Sequence, residues 1–193
     1  MATFASVHHR VPFLALATAG LIVAGCGSTG TRSAAPSTAQ TDAALRGSPP
    51  SLATLHGQAS QLLSGGSSAF RARLQALRGQ PVVINKWASW CGPCQSEFPV
   101  FQRVSVTLGR QVAFLGLDAR DQRPAATAFL RRFPVSYPSY EDAAETISDS
   151  LQAASYFPQT VYIDRQGRQV YVHAGPYLSE GALTRDIRFY VLR

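Results

Sequence analysis

The sequence predicts an α/β fold, a central mixed β-sheet flanked by helices, with a helical extension ahead of it. Three observations carry this. Residues 82–87 and 111–117 are apolar and partly β-branched, the continuous pattern of buried central strands. Each is followed by a segment whose apolar residues recur at helical spacing, so strands and helices alternate. Near the C-terminus two alternating runs, 159–164 and 168–173, flank Arg165-Gln166-Gly167 and read as an antiparallel hairpin. Successive β-α-β units give parallel neighbours and the hairpin adds antiparallel ones.

Composition narrows the function. With 46% hydrophobic and 10% aromatic residues, 193 residues can build one core and extra segments. The net charge of +7 comes from 18 basic and 11 acidic residues, and every basic residue but Lys86 is arginine. These are scattered, without a basic run or interleaved aromatics, so no nucleic-acid partner is expected. A mild preference for anionic membrane surfaces or acidic partners is all the charge implies. The three cysteines, Cys26, Cys91 and Cys94, are too few for a structural disulfide framework.

Residues 1–25 read as a signal peptide. His8-His9-Arg10 precedes 13 apolar residues, 11–23, short of a bilayer span. Val23-Ala24-Gly25-Cys26 resembles the lipobox of bacterial lipoproteins, in which the peptide is cut before the cysteine and that cysteine carries lipid. The resemblance implies lipidation at Cys26 and an anchor to the bacterial cell membrane; an ordinary secretory cleavage site and an uncleaved anchor are the alternatives. All three put the rest of the chain outside the cytoplasm. Residues 26–50, rich in Ser, Thr, Ala and Pro, are expected to be a flexible tether, having too little apolar surface to offset ordering entropy. Residues 51–79 are expected to be a helical extension packed on the main domain: Leu52, Leu55, Ala59, Leu62 and Leu63 fall at helical spacing, Gly65-Gly66 breaks it, and a second helix carries Phe70, Leu74 and Leu77. His56, with no other ligand type nearby, reads as structural.

The main domain is expected over 80–193. Its first strand ends in Asn85, Lys86 and Trp87; Lys86 sits where burial is expected and needs a carboxylate or an exit to solvent. After the Cys91–Cys94 motif comes an amphipathic helix over 95–108 with Pro99 inside it, then the second strand, a polar loop over 118–123 and a helix over 124–133. A short extended piece at 137–140 and a helix over 143–154 lead to the hairpin. A closing helix over 179–192 turns Leu183, Ile187 and Tyr190 or Val191 inward.

The chemistry lies in Trp90-Cys91-Gly92-Pro93-Cys94, where a buried strand passes into a helix. A helix N-terminus offers unpaired N–H groups and positive dipole, which lower a thiol pKa. A thiolate with a second thiol one turn away can break and make disulfides. Two other readings are weaker. Half a zinc site needs two more ligands, and His56 and His173 lack paired spacing. A static disulfide this short closes too small a loop to stabilise much. No metal and no cofactor is expected.

The motif after an apolar strand, with Phe157-Pro158-Gln159-Thr160 before the hairpin, resembles the thioredoxin fold over residues 79–193. Asn85, Trp87-Ala88-Ser89-Trp90 and Glu97-Phe98-Pro99 resemble its membrane-tethered branch, the TlpA/ResA-type thiol–disulfide oxidoreductases of bacterial envelopes. With the physics of the motif, this resemblance implies Cys91 as nucleophile and Cys94, less exposed, as resolver. It implies a cis peptide at Pro158, with Phe157 offering backbone groups to a substrate peptide. Trp90 shields the disulfide, Gly92 allows close approach of substrate, and Pro93 fits an early helical position. Asn85 stands where thioredoxins carry a buried acid; Glu97 is the acid implied to act instead, the plainer reading being a first-turn helix acid.

Gly-Pro between the cysteines matches thioredoxin, with a potential of about −270 mV against about −120 mV for the strong oxidant DsbA. The expectation is therefore reduction of envelope or secreted protein disulfides, such as those of apocytochrome c, through mixed disulfides and with a membrane thiol-relay protein as electron donor. A disulfide-forming oxidase and a non-catalytic thioredoxin-fold binding module are the alternatives. A peroxide-reducing enzyme is disfavoured, its Pro/Thr-flanked nucleophile being absent.

Overall fold

The computed structural model describes residues 1–3, 35–153 and 156–193. The chain divides into units of residues 1–33 and 34–193, and the fold below is that of the second. Most of the expected signal peptide, and Cys26, lie outside the described residues. Among those described, no helix is long and apolar enough to cross a membrane.

In chain order the elements are α1 (Thr38–Leu45), α2 (Pro50–His56), β1 (Leu62–Leu63), α3 (Gly66–Ala76), β2 (Val82–Trp87), α4 (Gly92–Leu108), β3 (Ala113–Ala119), α5 (Arg123–Arg132), β4 (Ser139–Asp142), α6 (Thr146–Ser150), β5 (Gln159–Ile163), β6 (Gln169–Ala174) and α7 (Glu180–Tyr190). The sheet order is β1-β4-β3-β2-β5-β6. The first four of these strands run parallel, and β2–β5 and β5–β6 are antiparallel, so the sheet is mixed as expected. The central strands β2, β3 and β5 are buried along their whole length, which is why β2 and β3 read as apolar runs, whereas β5, which starts with Gln159 and Thr160, reads as alternating.

Alternation along β2 sorts its side chains between two cores. Val83 and Trp87 join residues of α4, α5 and α7, whereas Val82 and Ile84 join residues of α2, α3 and α6. Trp87 ties the first core to the sheet. Its ring stacks on Phe129 at 4.8 Å, meets Phe98 edge-on at 5.2 Å, and its indole N–H reaches Ser139 Oγ at 3.1 Å. That hydrogen bond crosses β3 at Gly116, where a Cβ would collide with the Ser139 side chain and lie 3.0 Å from the indole nitrogen.

Three expectations are corrected. Residues 26–50 are not tether throughout: Ser37 and Gln40 form a capping box that starts α1, and Leu45 is buried. A reading from apolar content misses this helix because Leu45 is its one large apolar residue. Residues 51–79 are not wholly helical: Leu62 and Leu63 pair with Ser139 and Tyr140 as a parallel edge strand, so the extension completes the sheet. Two residues show no period from which a strand can be read. The helix expected over 143–154 shrinks to α6, whose first amides and Ser148 hydroxyl are gathered by the Asp142 carboxylate.

Candidate active site

Cys91 is the N-cap residue of α4, with extended backbone (φ −84°, ψ 105°). Its Sγ accepts the Cys94 N–H at 3.1 Å and is bonded to Cys94 Sγ at 2.05 Å. Sulfur therefore occupies the place where a capping oxygen normally satisfies a first-turn amide. Once the disulfide is reduced, the same amide and the positive end of the helix favour a thiolate there. Pro93, in the first turn, has no N–H to leave unsatisfied. Cys91 is 4% exposed and Cys94 is fully buried, while Trp90, Gly92 and Pro93 face solvent.

The Phe157–Pro158 peptide bond is cis, immediately before β5. Because β5 lies beside β2, this loop sits at the sheet end from which β2 runs into the cysteine motif. The two meet through ring contact between Trp90 and Phe157 at 5.0 Å. The structure thus brings Trp90, Cys91, Gly92, Pro93, Phe157 and Pro158 to one end of the sheet.

Glu97 lies in the second turn of α4, so the first-turn reading is corrected. It is fully buried, on the helix face of Cys94 by its three-residue spacing. Burial pushes its pKa up to about 8, against the opposing pull of the Tyr177 amide and the neighbouring Asn85 side chain. The Tyr177 N–H donates to Oε2 at 3.1 Å, whereas Oε1 completes no hydrogen bond. Asn85, Tyr137 and Thr160 add further buried polar atoms without hydrogen bonds, and Asn85 and Thr160 face each other across β2 and β5.

The loop before Cys91 is clamped by residues the sequence did not single out. Asp121 accepts the Ser89 N–H at 2.5 Å and the Ser89 hydroxyl at 2.9 Å. The Trp90 indole donates to the Arg120 carbonyl at 2.9 Å. Buried Asp118, at the end of β3, has its pKa pushed up to about 8 by burial and by the charge of Asp121. In the sequence these were only a polar loop; their nearness to the dithiol exists because β3 lies beside β2.

The question posed by Lys86 is answered by Glu145, whose Oε1 lies 2.7 Å from Nζ. The ring nitrogens of His56 lie 3.1 Å from the Gly109 carbonyl and 3.4 Å from that of Ser136, and the His173 ring stacks on Tyr177 at 4.2 Å. Among the described residues, no group of three or more His, Cys, Asp or Glu is placed to hold a metal ion.

Comparison with known proteins gives the geometry a context. The Redoxin family profile matches residues 33–185. The thiol-disulfide oxidoreductase ResA of Bacillus subtilis is 28% identical over 106 residues, covering 54% of this chain and 59% of the relative. A thiol:disulfide interchange protein DsbE homolog of Paracoccus denitrificans is 32% identical over 105 residues, covering 53% of this chain and 55% of the relative. The chain thus spans less than two thirds of the length of these curated relatives. Among solved structures, MTB DsbF in its mixed oxidised and reduced forms is 29% identical, with a TM-score of 0.55, covering 60% of this chain and 84% of that one.

Proposed function

Because the chain belongs to the Redoxin family, we propose that it is an extracytoplasmic thiol–disulfide oxidoreductase that reduces disulfides in envelope or secreted proteins, apocytochrome c among them. The observation that carries this reading is a cysteine pair at a helix N-terminus with a buried carboxyl of raised pKa one turn further on. The Cys91 thiolate attacks one sulfur of a substrate disulfide; that S–S bond breaks and the released sulfur takes up a proton. The ionised form of Glu97, the minor one near neutral pH because burial raises its pKa to about 8, accepts the Cys94 proton. The Cys94 thiolate then attacks Cys91 Sγ, releasing the second substrate sulfur and leaving Cys91–Cys94 oxidised. Two electrons have passed to the substrate, and a membrane thiol-relay protein restores the dithiol.

Trp90 and Phe157 border the path to the buried sulfurs, and the backbone of Phe157 is the edge on which a substrate peptide pairs. A lipid on Cys26 holds the domain at the outer face of the cell membrane, on a linker that ends before α1. Fatty-acid labelling tests this: label enters the wild type and not Cys26→Ser. The reduction potential of residues 35–193, equilibrated against glutathione, tests the direction. A value near −270 mV is expected of a reductant, and one near −120 mV overturns that direction in favour of an oxidase.

A further inference from the structure

Lys86 is the chain's single lysine and is fully buried in β2. A buried ammonium is tolerated when paired. Glu145 supplies the carboxylate, 2.7 Å away, and its other oxygen lies 3.5 Å from Arg120 Nε. The Arg120 carbonyl holds the Trp90 indole, and the Trp90 ring packs on Phe157. Lys86 Nζ in turn lies 4.0 Å from the centroid of the Phe157 ring. The contacts close into a ring of five: Lys86, Glu145, Arg120, Trp90, Phe157 and back. Glu145 and Arg120 both adopt left-handed backbone (φ 55° and 54°), a sparsely populated region for residues other than glycine.

This arrangement explains a charge where the strand pattern calls for an apolar side chain. An ammonium against an aromatic face, shielded from water, attracts the ring more strongly than an exposed one does. Phe157 is only half-buried, at the margin of the first core, and Trp90 is 55% exposed. We propose that Lys86 is a positioning residue of the dithiol site: with Glu145 as counter-ion, its ammonium seats the Phe157 ring against Trp90 and so sets the loop on which a substrate peptide pairs. The peptide part of this inference rests on the oxidoreductase reading above.

The test uses the full chain carrying Lys86→Met, which keeps the unbranched stem and removes the charge. Lys86→Met/Glu145→Gln serves beside it, so that the Glu145 carboxylate is not left without its ammonium; Arg120, whose side chain is more than half exposed, keeps its charge in solvent. The first readout is independent of activity. Trp87 is fully buried, so iodide quenching of tryptophan fluorescence reports Trp90. The quenching constant should rise at least twofold in both variants; an unchanged constant in the folded double variant overturns the inference. The second readout is turnover of a disulfide-bonded peptide. KM should rise about tenfold with kcat within twofold, and Phe157→Leu should add nothing further on top of Lys86→Met. An unchanged KM, or multiplicative effects of the two substitutions, overturns it. If the wild type turns over no disulfide at all, the oxidoreductase reading fails, while the quenching result still decides whether Lys86 positions the rim.

Discussion

Cys91 and Cys94 are three residues apart, and one helical turn gives them different surroundings. Cys91 receives an amide hydrogen bond at the helix start and retains a trace of exposure; Cys94 has none. An amide donor and a helix N-terminus stabilise a thiolate, so Cys91 should attack and Cys94 should resolve. Cys94→Ser should therefore accumulate mixed disulfides with substrate proteins, and Cys91→Ser should accumulate none, as read on non-reducing gels; the reverse pattern would invert the assignment. Glu97 belongs to the same scale. With its pKa pushed up to about 8, it can exchange a proton with a thiol near neutral pH. Glu97→Gln should leave formation of the mixed disulfide nearly unchanged and slow its resolution roughly 10²-fold, within the usual reach of general-base catalysis. Stopped-flow measurement of the two steps separates them; equal slowing of both would remove Glu97 from the second step.

Among the elements, the short N-terminal ones matter more than their sequence suggests. Leu52, Leu55, Phe70 and Leu77 are at most 2% exposed and share a core with β2, β3 and β5. Burying four such side chains contributes roughly 6–12 kcal/mol, comparable to the whole stability of a domain. A fragment of residues 80–193 loses these side chains and also strips β1 from the edge of β4. It should fail to unfold cooperatively in urea, whereas residues 35–193 should give a single transition; a cooperative 80–193 fragment would show the extension to be an appendage after all. The contrast also marks what the sequence made legible. β2, β3 and the β5–β6 hairpin could be read because buried strands have continuous apolar runs and hairpins have a turn between alternating ones. The cysteine motif could be read because its chemistry is local, and Phe157-Pro158 because it resembles the cis-proline loop of the thioredoxin fold. β1 could not be read, since a two-residue strand exists only by virtue of the strand it pairs with. Glu145, Asp121 and Arg120 could not be read either, because their roles arise from packing between strands distant in sequence.

For the molecule as a whole, the same groups set how stability responds to pH. Glu97 and Asp118 both have pKa values raised by burial to about 8, from 4.5 and 3.8. Between the unfolded and folded values the native state holds protons that the unfolded chain has lost, so stability falls as pH rises. At about 1.4 kcal/mol per pH unit, ionising Glu97 in the folded protein costs on the order of 5 kcal/mol relative to the unfolded chain, and Asp118 on the order of 6 kcal/mol at most. This loss starts above about pH 4–4.5 and is complete only above about pH 8. On the acid side, burial holds the His173 pKa below its usual 6.5. The folded state then resists a proton that the unfolded chain accepts, and stability is lost as pH falls below that value. Urea melts of residues 35–193 in the oxidised form should therefore lose stability between pH 6.5 and 8.5, where many proteins are flat. Glu97→Gln should remove about half of that decline and Glu97→Gln/Asp118→Asn most of it, because a neutral amide has no proton to lose. A decline of undiminished size in the double variant would mean that other groups carry the pH dependence and that neither carboxyl is held protonated near neutrality.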